Sequence, residues 1–311
     1  MTPPRLKWPK GYHISCSDDG RLLVCLGRNV VVIDVTARQR VSTSHPLSHP
    51  ANATFSPNGE TLAIKATNGR IVIIDPCSGE VLFDHKSQKD GEGSGIGFSP
   101  DGNELIDGSW RGELTIRSVL DGAILSRERF PGERLTRVTH DQSRRMWLVE
   151  HTPRVRPGEN IPPPCYISIC HWPFSCHTNR VLPIRANIES ATLSPDGARF
   201  CFFRRQGERR ICVALASNGE VIASSILFEY GGTGSELAWS RDGRHIAAVS
   251  KGMFVFMRAD DLAVVGRVPC KYPSSIAFLP DGNELALGSW ETTNIIRVAD
   301  IVTRAPADEG A

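Results

Sequence analysis

A short turn-forming phrase recurs along the whole chain, and no other feature of the sequence limits the fold so strongly. It reads CSDDG ending at Gly20, FSPNG at Gly59, FSPDG at Gly102, LSPDG at Gly197, WSRDG at Gly243 and FLPDG at Gly282. A seventh, degenerate copy is read as THDQS ending at Ser143. Proline presets φ for the first central position, Asp or Asn bonds the local backbone, and Gly takes the φ > 0 that other residues resist. The copies are spaced by about 40 to 55 residues, close to the period of a propeller blade.

Strands flank each turn. After Gly59 come TLAIKA, a turn at Asn68-Gly69, RIVIID, a turn at Ser78-Gly79, and EVLFDH. One repeat is therefore four short antiparallel strands. The third strands, Val30 to Ile33, Ile71 to Ile74 and Met253 to Met257, are apolar at consecutive positions rather than alternate ones. That pattern requires cover on both faces, which radially stacked blades supply and a two-layer sandwich does not.

Counting back from the anchors describes the first strand of each repeat. Five residues before them lie Ser15, Thr54, Gly97, Val138, Thr192, Ala238 and Ala277, all small or β-branched. Four before lie Cys16, Phe55, Phe98, Thr139, Leu193, Trp239 and Phe278, mostly large. One parity has room only for close backbone approach and the other fills inter-blade space, as expected for an innermost strand at a crowded axis.

The phrases FSPDG, LIDGSWRGELTIR and LALGSWETTNIIRV resemble the blades of WD-repeat proteins, and the likeness covers nearly the whole chain. The fold expected is all-β, one seven-bladed β-propeller over residues 1–311 with four antiparallel strands per blade. The Trp-Asp pair of that family is replaced by Ile33-Asp34, Ile74-Asp75, Arg117-Ser118, Met257-Arg258 and Val298-Ala299, and no Gly-His pair precedes the first strands. The family's buried Asp-His network is therefore not carried over. The last repeat has a third strand over Asn294 to Ala299 but a poor fourth in DIVTRAPADEGA. An unpaired propeller edge is a liability, so the N-terminal residues Pro4 to Trp8 are expected to supply the outer strand of the last blade, as ring closure in the resembled family does.

A net charge of +2 demands no nucleic-acid partner. No apolar run reaches the length of a secretory core or a membrane span, which reads as a cytoplasmic protein with no membrane contact. Nine cysteines, most inside apolar strand-like runs, read as reduced core thiols. Cys165, Cys170, His171, Cys176 and His177 lack the paired spacing of a zinc site, so neither metal nor cofactor is expected.

The resemblance implies that the second-to-third-strand turns and the inter-blade loops share one face. That face receives Arg28, Asn68, Trp110, Arg111, the loop HTPRVRPGENIPPP with Arg154 and Arg156, Arg204, Arg205, Lys251 and Trp290. Arginine forks and tryptophan anchors suit an acidic protein partner, which makes the chain a non-catalytic interaction scaffold. Two other readings stand beside it. Seven residues before the anchors lie His13, Asn52, Gly95, Thr136, Ser190, Glu236 and Ser275, and a hydrolase would use His13, Asn52 and Glu236 at the channel mouth. Direct nucleic-acid binding by the basic arc is the third.

Overall fold

The structure is a computed structural model that describes residues 8–85, 95–154, 165–174, 180–182, 188–204, 210–226 and 236–302. Its strands form seven antiparallel sheets, each built from consecutive strands, with one short helix, Val298–Val302. The second blade is typical, pairing Pro50–Phe55, Leu62–Ala66, Ile71–Ile74 and Val81–His85 in order. Six sheets have four strands, and the seventh has three among the described residues. The first strand of every blade touches the first strand of the next, and Pro273–Phe278 of the seventh touches His13–Cys16 of the first. The ring is thus closed, and the fold is a seven-bladed β-propeller.

The uninterrupted apolar strands have the cover that their sequence requires. Seven hydrophobic clusters are present, one at each blade-to-blade interface. The cluster between blades one and two sets Leu22, Val24 and Val32 against Phe55, Leu62 and Ile64. Both faces of a sheet are buried this way, while the outermost strands lie against solvent and leave the adjacent pairs Val81, Leu82 and Ile124, Leu125 exposed. The small inner positions also have a mechanical reason. A Cβ on Gly97 would stand 2.6 Å from the Trp147 ring of the next blade. Glycine there is what admits the indole.

Six anchor glycines adopt φ between 70° and 76°. In five of the turns a Ser hydroxyl donates to the Asp or Asn two residues on, and accepts the backbone N–H five residues on. Blade four performs the same turn with the two side chains exchanged. Asp141 accepts from Met146 N at 3.0 Å, and Ser143 donates to Asp141 at 2.6 Å. The left-handed residue is Arg144, with φ 57°, and its N–H closes the turn on Asp141 O. The fourth anchor is therefore Arg144 rather than Ser143. Correcting the register by one residue puts His140, not Thr139, at the large position, Thr139 rather than Val138 at the small one, and Arg137 rather than Thr136 at the channel mouth. The strand pairs agree: His140 faces Trp147 as Phe98 faces Leu105.

The third strand of the last blade is Thr293–Arg297, which begins one residue earlier and ends two residues earlier than the sequence suggests. The chain then turns into helix Val298–Val302, and Ile301 packs into the space beside Gly266 on the outer strand of blade six. Residues 1–7 lie outside the described residues, so the proposed N-terminal outer strand is not described. What is described of that segment bridges the last and first blades: Thr293 N donates to Pro9 O at 2.9 Å, and Trp8 packs on the cluster shared by Ile14, Leu279 and Ile295.

Candidate functional site

Two regions gather chemistry: the axial channel and the face of second-to-third-strand turns. At the upper mouth of the channel, four inner strands carry a β-bulge just before or across the ring position, at Pro50/Asn52, Leu135/Arg137, Glu189/Thr192 and Pro273/Ser275. A bulge bends a strand and re-aims its side chains. Here the result is a cavity of about 300 Å³ lined by His13, Asn52, Arg137 and Glu236 among others. The three residues expected there from the sequence are brought together, and Arg137 joins them.

The mouth carries an ordered set of charges. Glu236 accepts from Ser275 Oγ at 2.6 Å and lies 3.7 Å from His13 Nδ1. Burial alone would raise its carboxyl; the His13 hydrogen bond and charge, the Arg137 charge and the Ser275 hydroxyl outweigh it and hold the group below the usual carboxylate range. Arg137 Nη1 donates to Ser190 Oγ at 3.3 Å, while its Nε is buried without a partner among the described residues. Ser190 itself is held at φ 56°. One carboxylate, Glu236, and two imidazoles, His13 and His140, line the cavity where a hydrolase would be sought, and no group of three His, Cys, Asp or Glu side chains is placed to hold a metal ion among the described residues.

A tie crosses the channel at the lower mouth, beside a cavity of about 300 Å³ lined by Asp18, His140 and Asp141 among others. Arg144 Nη2 bonds both Asp18 carboxylate oxygens at 3.0 Å and Phe55 O at 3.3 Å, joining blade four to blades one and two. Its side chain is 4% exposed and that of Asp18 40%. Arg144 Nη1 also lies 3.3 Å from His140 Nε2. Burial first, and then the Arg144 charge, push the His140 imidazole down to about 3, so it is neutral at pH 7.

Blade four holds one further arrangement with the outward form of a catalytic triad. Ser168 Oγ pairs with His151 Nε2 at 2.8 Å, and His151 Nδ1 pairs with Glu133. Ser168 and His151 are both buried. A nucleophile must meet its substrate, and this hydroxyl cannot; the chain of bonds ties the second and third strands to the entry of the blade.

The turn face presents Trp110, Arg111, Arg154, Arg204, Lys251 and Trp290, all exposed. Trp110 is 44% and Trp290 51% exposed, with Tyr272 beside the latter at 53%. Trp290 stacks on Tyr12 at 5.1 Å, so its ring is held rather than loose. Arg154 is committed to neighbouring backbone, donating to Arg111 O in the turn of blade three at 2.7 Å and to Glu133 O at 3.4 Å. Arg156, Arg205, Cys176 and His177 lie outside the described residues, as does most of the Pro-rich insertion. Cys170 is buried and His171 exposed, on opposite faces of one strand.

These features define a seven-bladed β-propeller with a polar upper channel mouth and an aromatic, basic turn face. No family model matches the chain, and no curated protein matches it. Among many solved structures that share its fold, Kuenenia stuttgartiensis hydrazine synthase is similar with a TM-score of 0.76, over 96% of this chain and 99% of that one, at 16% sequence identity. Likeness at that identity carries the architecture alone, and fold does not fix function. No helix is long and apolar enough to cross a membrane among the described residues.

Proposed function

We propose that the protein is a WD-repeat-like interaction scaffold, cytoplasmic and non-catalytic, that binds an acidic protein surface through its turn face. The observation that carries this reading is the half-exposure of Trp110 and Trp290 at the tips of two turns on one face. A large ring left in water at a rigid turn offers contact area at little entropic cost, and Trp, Tyr and Arg dominate interface hot spots. Arg111, Arg204 and Lys251 stand on the same face and give it a positive rim, which favours encounter with an acidic partner.

The test is affinity purification from the native extract with the wild type and with the double variant Trp110→Ser, Trp290→Ser. Both side chains are half-exposed at turns, so the variant keeps its fold and loses only the stacking of Trp290 on Tyr12, about 1 kcal/mol, which a melting curve checks. Recovery of one stoichiometric protein by the wild type and its loss with the variant supports the scaffold. Equal recovery by both proteins refutes the location. Steeply salt-dependent capture of random DNA or RNA replaces the reading with a nucleic-acid one.

A further inference from the structure

Arg137 is positioned by more of the fold than its single hydrogen bond would need. It follows a bulge in the inner strand of blade four, and its Nη1 rests on Ser190, which sits in a second bulge at a left-handed φ that serine rarely adopts. Strain of that kind persists where the surroundings enforce it, and it clusters at ligand sites. In return the guanidinium forms no ion pair among the described residues, and its Nε is buried without a partner. The carboxylate whose charge it feels, Glu236, is already engaged by His13 and Ser275. Among the described residues one positive charge at the channel mouth is therefore left without a contacting counter-charge, beside a cavity of about 300 Å³.

We propose that the upper channel mouth is a binding site for a small monocarboxylate, with Arg137 as the residue that takes the carboxylate. The guanidinium fork matches the planar geometry of a carboxylate with two parallel bonds, and the charges balance one for one. A phosphate or other multiply charged anion would bring excess negative charge beside Glu236, and a cation would find Glu236 occupied. The carboxylate can belong to a free acid or to the end of a peptide, since both present the same group. Neither Trp110 nor Trp290 lines this cavity, and the proposal does not depend on the scaffold reading.

The test follows the Arg137 Nε–H resonance in a ¹H–¹⁵N spectrum of the whole protein, assigned by its disappearance in Arg137→Lys. Sodium lactate, lactamide, acetyl-trialanine, its C-terminal amide and sodium chloride are titrated separately at constant ionic strength, to about 50 mM so that millimolar affinities register. Saturable movement of the resonance with lactate or acetyl-trialanine, and none with the amides or chloride, is the expected result. Which of the two acids moves it distinguishes a free acid from a chain end. Saturation-transfer measurement of lactate should show binding weakened at least about tenfold in Arg137→Lys, which keeps the charge but loses the fork. Ser190→Ala, which removes only the support of Nη1, should weaken it severalfold and serves if the lysine variant does not fold. No saturable shift with either acid, an equal shift with chloride, or unchanged affinity in the variants would overturn the proposal.

Discussion

Arg144 offers a test in which one residue has two separable roles, as a left-handed turn residue and as a cross-channel tie. Replacing it by Ala removes the charge-assisted bonds to Asp18 and Phe55 O but keeps a Cβ at φ 57°. Stranding a buried charge would cost about 3–5 kcal/mol. Asp18 is 40% exposed, however, and water can take over its carboxylate, so the loss falls to that of charged hydrogen bonds, about 2–3 kcal/mol. Replacing Arg144 by Gly loses the same bonds but relieves the left-handed strain, about 1–2 kcal/mol. Part of that gain is returned through the greater freedom of glycine in the unfolded chain. Arg144→Gly should therefore be more stable than Arg144→Ala by about 1 kcal/mol. Ser143→Gly should be less stable than the wild type by about 1 kcal/mol, because it removes the hydroxyl that donates to Asp141 and accepts from Arg145 N at 3.3 Å, while the left-handed position stays with Arg144. Urea unfolding followed by tryptophan fluorescence reads all three, with Trp147 hydrogen-bonded to Arg144 O as a local reporter. A Ser143→Gly protein more stable than the wild type, or Arg144→Gly no better than Arg144→Ala, would refute the assignment of Arg144 as the turn anchor.

Three further outcomes follow from the packing and the charges. Gly97→Ala should cost about 1–3 kcal/mol in denaturant unfolding, as its Cβ meets the Trp147 ring, while the same change at the exposed turn of Gly132 meets nothing and costs only backbone strain. Lys65 is buried and bonded to Asp107 at 2.5 Å and Gly108 O at 2.7 Å; Lys65→Met should cost about 3–5 kcal/mol, and adding Asp107→Leu should restore little of it, because Arg117, 3.8 Å from the same carboxylate, then loses its counter-charge. His140 is neutral in the folded protein down to about pH 3 but takes a proton near pH 6.5 when unfolded. The unfolded state then binds the extra proton, so stability is full above about pH 6.5 and is lost progressively as pH falls toward 3. His140→Gln should flatten that part of the acid profile of the melting temperature.

The propeller was legible because its turns are chemically expensive to imitate. Ser, Asp and Gly each perform a separate bond or dihedral, and the doubly covered strands leave continuous apolar runs. Blade four shows where such reading slips. Its turn swaps Ser for Asp and places Arg at the left-handed position, so a search for Gly aligned Ser143 and hid Arg137 from the channel ring. A signal was available in the spacing. The first large inward side chain of the second strand falls three residues after the anchor, at Leu62, Leu105, Phe200, Ile246 and Leu285, and in blade four that residue is Trp147, which points back to Arg144. The bulges were not legible, since each depends on how two strands pair rather than on either strand alone. The same holds for the Arg144–Asp18 tie, whose partners lie 126 residues apart.

The scaffold reading is tested most directly by photo-crosslinking in living cells. A benzophenone amino acid is placed at Trp110 or Trp290, on the turn face, and as a control at Leu125 on the outer strand of blade three, which is also exposed. Irradiation should yield the same discrete protein adduct from positions 110 and 290 and none from position 125. Adducts absent from both tryptophan positions, or equally strong from Leu125, would contradict binding through this face.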